Sequence, residues 1–156
     1  MNNKVIDLLN RARARELTAI LQYMMHHYEL EDADFGKLAD TMRTIAIVEM
    51  KHAERLAERI LFLGGTPTAK PDAEVNKGQA IPEMLENNKA LEKQAIDMYN
   101  DFANQAAAEK DQVSKDLFES LLHDEEDHWN DFDNIKDHVD KLGASYLATL
   151  TGESQD

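Results

Sequence analysis

The feature that most constrains the fold of this chain is a Glu-x-x-His pair that occurs twice, at Glu49 and His52 and again at Glu125 and His128. Positions three apart lie on the same face of an α-helix, so a carboxylate and an imidazole at this spacing can converge on one metal ion. The two pairs are displaced by 76 residues. One such pair arises by chance in any charged helix, whereas a repeated pair needs a cause.

The same shift of 76 residues relates a second pattern, Glu-x-x-Ala-Ile-x-x-Tyr, which spans 16–23 and 92–99. The chain therefore contains an internal duplication. Its retained residues are mainly of metal-ligand types: Glu16, Glu49, His52, Glu92, Glu125 and His128. Tyr23 and Tyr99 lie on the same faces as the first glutamates of the two copies. They are either hydrogen-bond partners of the ligands or plain core tyrosines.

Long stretches with a period of about 3.5–3.6 residues, interrupted only by Gly, Pro and polar clusters, predict an all-α chain. We expect four long helices and a short fifth C-terminal helix, over 3–30, 37–63, 82–109, 111–141 and 144–150. The connection over 64–81 can reach roughly 60 Å, whereas a helix of this length measures only about 40 Å.

This connection can therefore cross the whole bundle and set the second helix parallel to the third. The sequence predicts a single domain over 1–156, folded as a four-helix bundle with one long crossover. That arrangement resembles the ferritin fold.

Composition narrows the functional classes. The chain has no cysteine, which excludes disulfides, thiolate metal sites and iron–sulfur clusters. Its formal net charge of −14 argues against binding to nucleic acids or membrane surfaces. Because the N-terminus lacks a signal-peptide core and no apolar run approaches a membrane span, we expect a soluble cytoplasmic protein.

The six duplicated ionisable residues fall within the apolar stripes of their helices, so each helix directs them into the core. An unpaired buried carboxylate costs several kcal/mol or takes up a proton. No comparable set of Lys or Arg is available to pair with them, and two divalent cations would balance four carboxylates. Carboxylate and imidazole ligands suit iron or manganese, and zinc could also occupy the site. The alternative is a purely structural set of buried polar residues.

At these residues the sequence resembles a bacterioferritin over nearly its whole length. The likeness is carried by ELTAILQY (16–23), EMKHAERLAERI (49–60), ALEKQAIDMY (90–99), HDEEDH (123–128) and LGASYL (142–147). The resemblance implies that the six duplicated residues are the ferroxidase ligands for two iron ions per subunit. It also implies a homo-oligomeric cage of 24 subunits, built from two-fold dimers, that oxidises Fe(II) with O₂ or H₂O₂ and stores a ferric mineral. A ferredoxin-type reductant is a further implied partner.

The resemblance also implies a haem between two subunits, ligated by Met50 from each. Met50 lies about 100° around its helix from Glu49 and so cannot point into the same core. It belongs to a second apolar stripe with Ile47, Ala53 and Ala57, and the first helix carries another stripe: Leu17, Leu21, Met24 and Tyr28. Because a bundle helix needs only one apolar face, these stripes predict a subunit interface. Plain packing in that interface is the alternative role for Met50.

Two features limit the likeness. Some family members place His and Asp ligands for a further iron on the cavity wall, where this chain has Thr44 and Val48, so no such site is expected. The four other histidines are expected at the surface and are assigned no role: His26, His27, His123 and His138.

Other functions remain open at this stage. They are a haem-free ferritin, a metal-binding cage without fast turnover, and a rubrerythrin-like di-iron peroxidase. The absence of cysteine counts against the last, because that family normally adds a Cys₄ centre.

Overall fold

In the computed structural model, which describes residues 2–153, the chain forms four long helices and one short one. They are α1 (Asn3–Asp32), α2 (Gly36–Phe62), α3 (Ile81–Ala108), α4 (Gln112–Leu142) and α5 (Ala144–Ala148). The described residues contain no strand. The predicted all-α bundle with a short fifth helix is confirmed, and every predicted helix boundary lies within two residues of the observed one.

Local signals in the sequence explain where the helices begin and end. The side chain of Asn2 accepts hydrogen bonds from the first backbone amides of α1, and that of Asp111 does the same for α4. Such caps satisfy donors that have no partner within the helix. Gly64 and Gly143 follow α2 and α4 with φ of 89° and 56°, a left-handed conformation that glycine adopts without steric penalty.

The crossover between α2 and α3 lies along α1 and is bound to it by polar contacts. Asn10 Nδ2 donates to the carbonyl of Thr66 at 3.0 Å, near the start of both segments. Further along, the backbone amide of Asn76 donates to Gln22 Oε1 at 2.8 Å. The crossover therefore runs in the same direction as α1, which is antiparallel to α2. It returns the chain past α2, so that α3 begins parallel to α2 as predicted.

The apolar core consists of two clusters separated by a polar layer. One cluster includes Leu9, Leu56 and Phe118, and the other includes Leu38 and Phe132. Between them lie buried ionisable residues from near the middle of each of the four long helices. No helix among the described residues is long and apolar enough to cross a membrane.

Candidate metal centre

Each of the four long helices contributes buried ionisable side chains near its middle. Their exposed fractions are all 6% or less, and the residues are Glu16, Glu49, His52, Glu92, Glu125 and His128. These are the six residues that the duplicated pattern singled out. The helical periodicity that predicted their burial is thus sufficient to place them, because each occupies an apolar stripe.

The six side chains form two overlapping groups of possible ligands. Within each group, one ligand atom of every residue lies within 4.8 Å of the others. One group contains Glu16, Glu49, His52 and Glu125, and the other contains Glu49, Glu92, Glu125 and His128. Glu49 and Glu125 belong to both groups and could therefore bridge two ions. The pseudo-symmetry of the groups follows the internal duplication.

Several of the possible ligand atoms are buried without a hydrogen-bond partner and face one another. Nδ1 of His52 lies 3.3 Å from Oε1 of Glu125, and Nδ1 of His128 lies 3.2 Å from Oε1 of Glu49. None of these four atoms has a hydrogen-bond partner within residues 2–153, and each is fully buried. Leaving buried polar atoms unsatisfied costs about 1–3 kcal/mol each, and more for charged groups. Cations bound between them would remove this cost, so the donor set fits a pair of metal ions.

A small enclosed cavity reaches the carboxylates from between α1 and α3. Its volume is about 10 Å³, and its lining includes Ala19 and Ala95, which the duplication relates to each other. Arg15 also lines it, but the guanidinium donates to the carbonyl of Leu91 and to Gln94 at 2.8 and 2.7 Å. Among the described residues, no Lys or Arg forms an ion pair with the six ligand residues. The carboxylates are therefore left without a protein cation other than the two imidazoles.

Burial and mutual repulsion alter the protonation of the centre. Burial, followed by the nearby charges of Glu125 and Glu16, raises the pKa of Glu49 well above its usual range. The same causes, burial and Glu125, raise the pKa of Glu92 to about 8. Burial alone would lower the pKa of His52 and His128. Contacts with the surrounding glutamates outweigh it and raise these two values to about 11 and about 10.

We expect metal binding to release protons at neutral pH. Coordination needs neutral imidazole and ionised carboxylate, whereas His52, His128 and Glu92 favour their protonated forms at pH 7 in the metal-free protein. Lowering the pH strengthens proton competition, so affinity should keep rising as pH increases from 7 towards 9. Titration calorimetry with Co²⁺ in buffers of different ionisation enthalpy measures the protons released. An affinity that stops changing above pH 7 would contradict the raised values.

Three further side chains hold the ligands from outside. Tyr23 donates to Glu92 Oε1 at 2.6 Å, and Tyr99 donates to Glu16 Oε1 at 2.5 Å. Each tyrosine therefore binds the glutamate of the other repeat, which favours the hydrogen-bonding role over plain core packing. Burial, together with the nearby carboxylates, raises the pKa of both tyrosines and keeps them as donors. The third is Asp124, which bonds to His52 and which the sequence analysis did not single out.

Two of the four remaining histidines contradict the surface prediction. His26 and His27 are buried, with exposed fractions of 0% and 7%. His26 Nε2 lies 2.9 Å from Oε1 of Gln79 in the crossover, and His27 Nδ1 lies 2.6 Å from the carbonyl of Ala39 in α2. Both positions lie on the buried side of α1, between Tyr23 and Leu30, so the surface prediction, which rested on residue type alone, was wrong. His123 and His138 are exposed, as predicted.

The second apolar stripes are largely at the surface. Leu21, Tyr28 and Met50 have exposed fractions of 51%, 59% and 54%. Met50 thus points away from the centre although Glu49 next to it is buried. Ala53 departs from the prediction: it is buried within the chain at 3% exposure, and its carbonyl accepts from Arg13. The interface itself stays a prediction.

A four-helix bundle with one long crossover and two overlapping Glu/His ligand groups defines the class of ferritin-like di-metal carboxylate proteins. The model of the Ferritin-like domain family matches residues 6–142. The bacterioferritin of Desulfovibrio desulfuricans is 45% identical over 149 residues, which cover 96% of this chain and 83% of that protein. The chain belongs to the bacterioferritin family.

Solved structures agree with this family. An X-ray structure of the Desulfovibrio desulfuricans bacterioferritin, with its diiron site in different catalytic states, matches with a TM-score of 0.96 and 44% identity, covering 98% of this chain and 90% of that one. A Rhodobacter capsulatus bacterioferritin has a metal-free dinuclear site and a haem iron in a crystallographic special position. It matches with a TM-score of 0.92 and 38% identity, covering 100% of this chain and 98% of that one.

Proposed function

We propose that this chain is a ferroxidase, which oxidises Fe(II) to Fe(III) at the centre between the four long helices and passes it to a stored mineral. Membership of the bacterioferritin family indicates iron storage. The observation that carries the finer proposal is the pair of overlapping four-residue groups, with two carboxylates common to both. This is the arrangement that holds two ions side by side.

In this proposal all six residues ligate iron, and two Fe(II) ions bind per chain. Glu16 and His52 would hold one ion, Glu92 and His128 would hold the other, and the shared glutamates would contribute to both sites. Four carboxylates balance two divalent cations, and oxygen and imidazole nitrogen ligands suit Fe(II). The diiron site of the Desulfovibrio desulfuricans relative supports iron as the metal.

The chemistry balances as a two-electron transfer. One O₂ takes one electron from each of two Fe(II) ions and two protons, which yields H₂O₂ and two Fe(III) ions. With H₂O₂ as the oxidant, the same electrons and protons yield two waters. The chain's own residues contribute position and exclusion of water. Tyr23 and Tyr99 fix the orientation of Glu92 and Glu16, respectively. The two apolar clusters close the site at its two ends along the bundle.

We further propose a homo-oligomeric cage of 24 subunits, built from two-fold dimers, in the cytoplasm, with a ferredoxin-type protein as reductant. The exposed apolar side chains on α1 and α2 would form the dimer interface. Met50 from each of two chains would ligate a shared haem there. The haem iron of the Rhodobacter capsulatus relative occupies a crystallographic special position, which is compatible with a haem on a two-fold axis.

Air oxidation of Fe(II) added to sized, metal-free protein tests the function. We expect a rapid rise in ferric absorbance that saturates at two iron ions per chain, followed by slower mineral growth. The sized sample should elute as a particle of 24 subunits. Tight binding of Fe(II) with oxidation no faster than in buffer would instead indicate a cage that holds metal without turnover. Rapid consumption of H₂O₂ without mineral would indicate a peroxidase.

A further inference from the structure

The two halves of the metal centre differ in one contact. Nε2 of His52 lies 2.7 Å from Oδ2 of Asp124, which is on the neighbouring helix α4. Nδ1 of His52 faces the ligand group, so Nε2 carries a hydrogen and donates it to the carboxylate both in the protonated ring and in a ring that binds metal through Nδ1. A carboxylate in this position fixes the ring orientation and tautomer of a metal-binding imidazole and makes it a better donor.

The internal duplication shows that this contact has no counterpart. The shift of 76 residues that carries His52 onto His128 carries residue 48 onto residue 124, and residue 48 is Val48. A valine side chain cannot accept a hydrogen bond. Within the described part of the chain, all polar contacts of His128 are made through Nδ1, on the side of the ligands. Among the described residues, the second imidazole therefore has polar contacts only on the metal side.

The other contacts to the ligands are matched between the halves. Glu16 and Glu92 each accept one tyrosine hydroxyl, at 2.5 and 2.6 Å. The shared glutamates belong equally to both groups. The histidine partner is thus the unmatched element. Since the side chain of Asp124 is 43% exposed, its charge is partly screened by water, and its main effect is on ring orientation.

Building on the di-metal centre proposed above, we propose that Asp124 is a positioning residue. It makes the group of Glu16, Glu49, His52 and Glu125 the tighter of the two sites and the first to bind metal. The group that contains His128 binds second and more weakly, because its imidazole must be ordered when the ion arrives. The two sites are then filled in a defined order although their ligand types are the same.

Calorimetric titration of the metal-free full-length protein with Co²⁺ tests this order. We expect two binding steps in the wild type. Crystals given one Co²⁺ per chain should show the anomalous peak beside His52. Asp124→Ala should weaken the first step by about 10- to 100-fold, the usual effect of losing such a partner, and leave the second unchanged. Asp124→Asn keeps an oxygen acceptor and should restore most of the affinity. The Co²⁺ absorption that develops at one equivalent should be strongest in the wild type, slightly weaker in Asp124→Asn and weakest in Asp124→Ala.

Two more variants complete the test. Asp127→Ala removes the same charge from an exposed position on α4 and should change neither step. Val48→Asp supplies the missing acceptor for His128 and should strengthen the second step. The difference in affinity between the two steps should therefore become smaller. Equal weakening of both steps by Asp124→Ala, the same effect from Asp127→Ala, or an unchanged second step in Val48→Asp overturns the inference. Failure of the wild type to bind two Co²⁺ ions would instead overturn the metal centre itself.

Discussion

Replacing Glu49 by alanine should reduce the initial rate of Fe(II) oxidation by more than about 100-fold, to near that of buffer. Loss of an outer hydrogen-bond partner already costs about 10- to 100-fold in metal affinity or activity. Glu49 should cost more, because it belongs to both ligand groups and its loss affects both ions. Ferric absorbance after rapid mixing of Fe(II) with aerated protein measures the rate.

The fold should survive this change. Glu49 is one of several crowded, buried carboxylates, and its removal relieves repulsion in the metal-free protein. The melting temperature of metal-free Glu49→Gln, which preserves volume, should therefore be no lower than that of the wild type. Glu54→Ala provides a matched control, since Glu54 is exposed on the same helix and outside both ligand groups. Rapid oxidation that persists in Glu49→Ala would refute the assignment.

His128→Ala should separate the two halves of the centre. His128 belongs to one ligand group only, so the variant should still bind one Co²⁺ per chain at the other group. Rapid Fe(II) oxidation should nevertheless be lost, because the two-electron reduction of O₂ draws on two neighbouring ions. Calorimetry gives the stoichiometry, and ferric absorbance gives the rate. Wild-type oxidation with a single bound ion would show that the pair is not needed.

Met50→Leu should remove bound haem completely and leave Fe(II) oxidation largely intact. Leucine is close to methionine in volume and apolarity, so the packing penalty should stay below about 1.5 kcal/mol. The thioether ligand, in contrast, is lost outright. Met50 is 54% exposed whereas Glu49 is 1% exposed, so the substitution lies outside the metal centre. The ratio of haem to protein, measured by absorbance after reconstitution, checks the result.

Met24→Leu is the control for this experiment, because Met24 belongs to the apolar stripe of α1 and receives the same change. It should keep the haem and the cage. A bis-thioether haem spectrum that persists unchanged in Met50→Leu would contradict the ligand assignment. A wild type that never takes up haem would make the chain a haem-free ferritin, with Met50 a packing residue of the interface. Size-exclusion chromatography shows whether either variant loses assembly.

Helical periodicity and the repeated spacing were enough to predict the helices and the six buried residues, because both depend on positions along single helices, which the sequence records directly. The topology was predicted from the length of the connection over 64–81, which suffices to cross the bundle. The sequence could not show that Glu49 and Glu125 are the shared residues, because sharing depends on distances between helices. Nor did it single out Asp124. Its partner His52 is 72 residues away in the chain, and Asp124 is one of four consecutive acidic residues, among which nothing in the local sequence distinguishes it.

The errors at His26 and His27 have a different cause. Both positions continue the buried stripe of α1, three and four residues after Tyr23, and the surface prediction followed from the residue type rather than from the position. The partners that satisfy these buried rings come from other segments: Gln79 of the crossover for His26, and the carbonyl of Ala39 in α2 for His27. A connection without regular structure has no periodicity from which such contacts can be read. The same limit applies to Ala53, whose burial depends on how closely α1 and α2 approach.

The fusion of two similar hairpins into one chain has a consequence for how such a centre can evolve. In a homodimer of hairpins, a single codon would set both copies of every position, so an aspartate beside one histidine would also appear beside the other. In the fused chain, positions 48 and 124 are separate codons and can diverge, as Val48 and Asp124 have. Selection can then act separately on the residues around each metal site. The two shared glutamates remain constrained, because a change in either affects both sites.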